Sequence, residues 1–278
     1  MNTSGSQRGA RVPFTLPAHH QKMTPRHRRL LDHIRQHGDT SVEDLARILG
    51  VTTQTIRRDI RELEDARLLA RYHGGVSIPS TVENIDYDQR RVMDSDAKRR
   101  IGQLAAAQVE NGRSLIINIG TTTEEVSKAL LHHRGIRVVT NNLNVASILS
   151  GCDDAEVIVA GGLVRKRDRG IVGEATIDFM RQFKVDIGII GVSGIEADGT
   201  LLDYDYREVR VTQAIMEQSR QVWLVADHTK FGRHALVRLG SIAQVDKFFT
   251  DSPVPAEAAD AFEKAGVEVI VAGMELEK

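Results

Sequence analysis

The 278-residue sequence holds a single cysteine, Cys152, which excludes an intrachain disulfide and any cysteine-based zinc cluster. A lone thiol of this kind is expected as a small buried apolar residue. Nowhere do about 18 apolar residues run together, so the sequence predicts no membrane span. Residues 1–24 contain Arg8, Arg11 and two prolines but no apolar stretch, which excludes a secretory signal there. Proline is scarce as well, with six at positions 13, 17, 25, 79, 253 and 255. The proline-free interval from 80 to 252 suits a compact domain whose helices and central strands do not tolerate that residue. A cytoplasmic protein is the expectation, with no cofactor motif, no metal motif and no catalytic template.

Charge is balanced only in total. The net of −1 divides into +5 over residues 1–80, with 13 Lys+Arg and 8 Asp+Glu, and −6 over 81–278, with 24 and 30. A basic front on an acidic body is the pattern expected where one end meets a polyanion. The chain accordingly divides into a Ser/Gly/Pro/His-rich disordered tail at 1–24, a front domain at 25–80, a polar linker at 81–97 and a rear domain at 98–278. Met23, directly before the first helical pattern, is an alternative start.

Three helices are predicted in the front domain. The first, 26–36, buries Leu30, Leu31 and Ile34. The second opens at Ser41-x-x-Asp44, which resembles a capping box, and buries Leu45, Ile48 and Leu49. Gly50-Val51-Thr52 makes a tight turn into a third helix, 53–65. At about 100° per residue, Ile56, Ile60 and Leu63 share one face while Gln54, Arg57, Arg58 and Arg61 share the opposite one. Arginine reads guanine edges and glutamine adenine edges in the major groove. After a helix and a glycine turn, such a face predicts a recognition helix, with a solvated charged face as the plain alternative. Thr53 and Thr55 join the set at the start of that helix. Residues 67–78 alternate and turn at Gly74-Gly75, predicting a wing whose Arg71 and His73 contact phosphate or the minor groove.

From residue 98 the pattern becomes strand–helix alternation. Strands are predicted at 114–119, 136–140, 156–160, 186–192, 221–226, 246–250 and 267–272, and helices at 98–110, 124–132, 144–149, 174–183, 206–219 and 256–265. That order predicts a mostly parallel sheet covered on both faces. Ligands of such sheets bind beyond the carboxyl ends of the strands. There the sequence places Gly120-Thr121-Thr122-Thr123, a helix start that suits an anion, together with Asn141-Asn142, Gly161-Gly162, Gly191 and Lys230. Glu208 is a candidate for ligand hydroxyls. Asp203 and Asp205 are explained as loop or helix-start residues, and the basic run Arg165–Arg169 as a solvated loop, with a lid as its alternative.

The chain resembles the DeoR family of bacterial transcriptional regulators over residues 24–272. The resemblance rests on Gln54-Thr-Ile-Arg-Arg-Asp59, His73-Gly-Gly75, Ile119-Gly-Thr-Thr122, Thr140–Ala146, Ala160-Gly-Gly162, Gly170–Phe179, Gly194-Ile195, Asp203–Val209 and Asp227–Gly232. It implies an N-terminal winged helix-turn-helix followed by a sugar-phosphate isomerase-like α/β sensor domain. It also implies double-stranded operator DNA as a partner, a homo-oligomer, and release of the operator by a phosphorylated metabolite. The effector site that it implies comprises Gly120, Thr121, Thr122, Thr123, Asn141, Asn142, Gly161, Gly162, Gly191, Glu208 and Lys230. The Asn141–Ala146 and Gly173–Phe179 stretches resemble the branch that answers to glycerol 3-phosphate. Related isomerases carry an acid run where this chain has Gly191-Val-Ser193-Gly194, which favours sensing over turnover. Three readings stay open: a glycerol 3-phosphate-responsive repressor, a regulator or activator with another sugar-phosphate ligand, and a sugar-phosphate isomerase-like enzyme.

Overall fold

The computed structural model describes residues 24–273 apart from 38–39, 66–67, 73–74, 78–83 and 85–86. The expected tail therefore lies outside the described residues but for Thr24, and His73 lies outside them too.

Helices α1 (Pro25–His37), α2 (Val42–Leu49) and α3 (Thr53–Asp65) precede the antiparallel pair β1 (Ala70–Tyr72) and β2 (Gly75–Ser77). Local chemistry sets each boundary. The Thr24 hydroxyl accepts from the His27 amide, and the Ser41 hydroxyl accepts from the Asp44 amide at 3.0 Å. Gly50 closes α2 at φ +67°, a left-handed conformation suited to glycine. Thr52 then caps α3 through the Thr55 amide. Leu30, Leu31, Ile34, Leu45, Ile56, Ile60, Leu63, Leu69 and Val76 form one core, and Thr40 adds a bridge to Val76. Ile48, expected inside, is 45% exposed. The buried stripe of α2 is centred between Leu45 and Ala46, and Ile48 falls about 110° away on the helical wheel.

Helix α4 (Tyr87–Val92) occupies the segment read as a polar linker, and α5 (Ser95–Ala107) follows. The rear domain continues through β3 (Ser114–Ile117), α6 (Thr121–Ala129), β4 (Ile136–Thr140), α7 (Leu143–Leu149) and β5 (Ala155–Val159). Next come a small hairpin, β6 (Leu163–Val164) and β7 (Ile171–Val172), then α8 (Glu174–Met180) and β8 (Val185–Ile190). The remaining elements are β9 (Gly194–Ile195), β10 (Thr200–Asp203), α9 (Tyr206–Glu217), β11 (Ser219–Val225), β12 (Val237–Ser241), β13 (Lys247–Thr250), α10 (Ala256–Ala265) and β14 (Glu268–Val271).

Seven strands make one parallel sheet in the order β14-β13-β11-β8-β3-β4-β5. They are the seven that the sequence predicts. Alternate residues face opposite layers: Leu115 and Ile117 pack with α5, α6 and α7, whereas Ile116 packs with residues of α8, α9 and α10. From β3 the chain winds one way to β5 and the other way from β8 to β14. The switch of direction therefore lies between β3 and β8, where a crevice opens beyond the strand ends. The short antiparallel sheet β12-β10-β9 is a feature that the sequence pattern did not announce. Its strands are brief and carry two glycines, Gly194 and Gly240, that weaken any periodic signal.

Candidate functional site

On α3 the polar face is placed as expected. Gln54, Arg57, Arg58 and Arg61 are exposed, and Thr53 and Thr55 are half-buried at its first turn. Arg58 is 81% exposed and its Nε donates to Glu62 at 3.0 Å. Arg57 lies 4.0 Å from Glu43. These acids hold the arginines loosely at the surface, where DNA phosphates or base edges can replace them. Arg71 on β1 pairs with Glu64 at 2.8 Å and donates to the Arg57 carbonyl, tying the wing to α3. Asp59, on the same helix, is buried. Arg26 grips both its oxygens and His27 Nε2 lies 3.3 Å away, so α1 is pinned to α3. Burial alone would raise the Asp59 pKa, but the Arg26 hydrogen bond and charge hold it below the ordinary value.

The second site lies along the carboxyl edge of the large sheet, around the switch crevice. Gly120, three residues beyond the end of β3, adopts φ +157° and precedes α6, whose first amides lie at the crevice. Thr121 and Thr122 are buried, and their hydroxyls make no hydrogen bond to a described residue. Thr123 behaves differently: its hydroxyl donates to the Asn118 and Gly120 carbonyls, both at 2.8 Å, and shapes the loop itself. Gly191 faces the same loop across the switch, where an added Cβ would stand 3.7 Å from the Ile119 carbonyl oxygen.

Asn142 caps α7 and donates to Glu124, while Asn141 donates to the Ile171 carbonyl at 3.1 Å. Gly161 and Gly162 are exposed, and an added Cβ at Gly161 would meet nothing within 4 Å. Thr176 donates to the Gly161 carbonyl, and an added Cβ at Gly162 would come within 2.2 Å of the Thr176 hydroxyl. Among the described residues, four fully buried polar atoms without a hydrogen-bond partner sit at strand ends: Asn118 Oδ1, Asn141 Oδ1, Asp227 Oδ2 and Thr250 Oγ1. They follow or end β3, β4, β11 and β13. Orphaned buried groups are costly, and their gathering at one edge marks it as a place for a polar ligand.

The largest departure from the sequence reading is the run Arg165–Arg169. It forms the tip of the β6–β7 hairpin, and Arg165 is buried at 7% exposure rather than solvated. Its guanidinium donates to Asp168 at 3.1 and 2.5 Å, to Asp205 at 3.0 Å and to Glu208 at 2.6 Å. An arginine meeting three carboxylates is stable when buried because opposite charge offsets the desolvation. Burial, helped by Asp203, pushes the Glu208 carboxyl up to about 7 against the pull of Arg165. Asp205 also caps α9, as a helix-start acid should.

Lys230 ends the turn that follows β11. Burial draws its pKa down to about 8; Asp227 opposes that shift, and Arg233, Lys98 and Arg90 add to it. Arg90, Lys98 and Arg233 went unrecognised in the sequence, because none lies in a motif and two precede the first strand of the rear domain. Gly194 explains one feature of the Gly191–Gly194 run: an added Cβ there would stand 2.0 Å from the Arg233 carbonyl oxygen.

Two family models match the chain, the DeoR-like helix-turn-helix domain over residues 26–82 and the DeoR C terminal sensor domain over residues 93–252. The chain belongs to the DeoR family. Its relatives include the glycerol-3-phosphate regulon repressor of Escherichia coli (strain K12), 49% identical over 84% of this chain and 93% of the relative. The protein of the same name from Haemophilus influenzae is 49% identical over 82% and 89%. This DeoR-family chain is thus a helix-turn-helix regulator with a C-terminal sensor domain. Among solved structures, a ribose 5-phosphate isomerase from Plasmodium falciparum overlaps 48% of this chain and 52% of its own at 11% identity and a TM-score of 0.36, a distance that supports no argument about activity. No helix of the described residues is long and apolar enough to cross a membrane.

Proposed function

We propose that this DeoR-family chain represses genes of glycerol and glycerol 3-phosphate metabolism, and that glycerol 3-phosphate bound at the sheet edge releases it from its operator. The observation that carries the effector reading is the crevice itself. A helix start with two uncommitted threonines, a lysine drawn down to about 8, and buried acids on Arg165 lie along one strand edge. An anionic phosphate suits the helix start and Lys230, and ligand hydroxyls suit Glu208 and Asp205. Thr121, Thr122, Gly120, Gly191, Asn141, Glu208 and Lys230 are the proposed contacts, with Thr123, Asn142, Gly161 and Gly162 shaping their surroundings. On the DNA side, Gln54, Arg57, Arg58 and Arg61 read the major groove, and Thr53, Thr55 and Arg71 contact the backbone. Two copies on paired half-sites suit a reader of this kind.

Sensing, not turnover, fits the names of the relatives. The Ser193 hydroxyl, the one nucleophile type in the Gly191–Gly194 run, is spent on Asp203 at 3.1 Å. The test is anisotropy of labelled operator DNA titrated with phosphorylated three- to six-carbon compounds. Release by glycerol 3-phosphate at the lowest concentration supports the proposal. Release by another sugar phosphate reassigns the ligand, and release by none overturns the effector reading. Isomerase turnover by the chain would overturn the sensor reading in favour of an enzyme.

A further inference from the structure

Helix α4 falls between the two matched family segments, which end at residue 82 and resume at residue 93, yet it is tied into the sensor site on every side. The Tyr87 hydroxyl donates to Glu124 Oε2 at 2.8 Å and accepts from Asn144 Nδ2 at 2.9 Å. Glu124 belongs to the first turn of α6, directly after the three threonines, and also accepts from Asn142 and Asn144. Just before α4, Asn84 donates to Ser193 at 3.1 Å and accepts from Arg233 at 2.9 Å. Just after it, buried Lys98 donates to the Arg90 and Met93 carbonyls, both at 2.5 Å, and so holds the end of the helix.

Arg90 itself points the guanidinium of this helix toward the acids of the site. Its side chain is 15% exposed and lies 4.0 Å from Asp168, the carboxylate that Arg165 already engages through both oxygens. Burial lowers its pKa, Glu208, Asp168 and Asp203 oppose that shift, and Arg233 adds to it. Arg90 and Lys230 also act on one another. Arg90, Lys98, Lys230 and Arg233 are thus cations of one mixed-charge region, set against Asp168, Glu208, Asp203 and Asp227.

We propose that Arg90 is a direct phosphate contact of the effector site, so that the helix leading from the DNA-binding domain forms one wall of that site. Ligand occupancy then bears on the connector without any intermediate element. A phosphate between Lys230 and Arg90 draws the guanidinium from Asp168 and loads α4, whose other anchors are Tyr87, Asn84 and Lys98. This inference rests on the effector reading above and adds a residue that neither the sequence pattern nor the family match singled out.

The test is calorimetric titration of glycerol 3-phosphate into the full chain without DNA. Loss of one charge-assisted contact is worth about 10- to 100-fold in affinity. Arg90→Gln is expected to weaken binding at least about tenfold, and Arg90→Lys to recover part of the loss. Arg91→Gln, on the exposed side of the same helix and paired with Asp88, is expected to bind within about twofold of the parent chain. Binding by Arg90→Gln within twofold of the parent overturns the inference while leaving the effector reading intact. If Arg90→Gln does not fold, Arg90→Lys decides: unchanged affinity and an unchanged ³¹P shift of the bound ligand overturn it, and a weaker complex with a displaced shift supports it. If the parent chain takes up no glycerol 3-phosphate, the effector reading fails and this inference falls with it.

Discussion

Arg165 Nη2 stands 2.6 Å from Glu208 Oε2, and joins the tip of one hairpin to the first turn of α9 across the mouth of the sensor site. The same guanidinium holds Asp168 and Asp205, which Arg90, Arg167 and Arg207 approach only from the outside of the cluster or at longer range. Arg165→Ala leaves the three acids facing one another inside the protein. Breaking a buried pair from one side costs about 3–5 kcal/mol, and a loss of that order is expected in chemical denaturation. Arg165→Lys, which cannot serve three partners in one plane, is expected to fall between.

The pH dependence of stability separates two residues of this site. Glu208 has an ordinary value of 4.5 and is raised to about 7 in the fold, so between those values the native state binds more protons than the unfolded one. Stability contributed by this group therefore falls as pH rises through that window. Lys230 shifts from 10.5 to about 8, so the unfolded state binds more protons there and stability rises with pH from about 8 to 10.5. Denaturation midpoints measured across pH, parent minus Glu208→Gln, are expected to slope downward from about 4.5 to 7. Parent minus Lys230→Met is expected to slope upward above about 8. Flat difference curves would contradict the shifts.

Two neighbours on α3 are expected to fail for different reasons. Arg58→Ala removes an exposed base-reading group and should weaken specific operator binding by about 1–3 kcal/mol while changing stability by less than about 0.5 kcal/mol. Asp59→Ala removes the buried acid held by Arg26 and His27 and should cost about 1–3 kcal/mol of stability in the front domain. Operator titrations paired with thermal melts distinguish them. Equal melting losses in both would contradict the division of roles.

Gly102→Ala tests the packing beneath the site. An added Cβ would lie 2.6 Å from the Glu125 carbonyl carbon and 2.8 Å from the Val126 nitrogen, both backbone atoms of α6. Helix propensity alone would favour alanine by up to about 1 kcal/mol. Separation of α5 from α6 is expected to outweigh that and destabilise by about 1–3 kcal/mol in urea unfolding.

The elements most legible in the sequence were those with a strong period and clean caps. Ile56, Ile60 and Leu63 announced the buried stripe of α3, and seven apolar runs announced the seven parallel strands. What stayed hidden depended on contacts distant along the chain. Arg165 looks solvated within its own run, and only the approach of Asp205 and Glu208, some forty residues later, makes it a core residue. Arg90 lies in a polar stretch with linker composition, and its place in the site comes from Lys98 and Tyr87 anchoring the helix around it. Thr123 and Asn142 carry the right chemistry for a ligand, yet the backbone and Glu124 claim their polar groups. Composition can nominate such residues, but it cannot show which hydroxyl or amide is already spent.

Under the proposed function, one molecule of this chain couples effector at the sheet edge to operator at α3. Such coupling is reciprocal, and is typically about 1–3 kcal/mol. The direct measurement is the affinity for glycerol 3-phosphate of the chain alone and of the chain saturated with operator DNA. Operator is expected to lower effector affinity by the same factor, about 5- to 150-fold, by which effector lowers operator affinity. Equal effector affinity in the two states would contradict it.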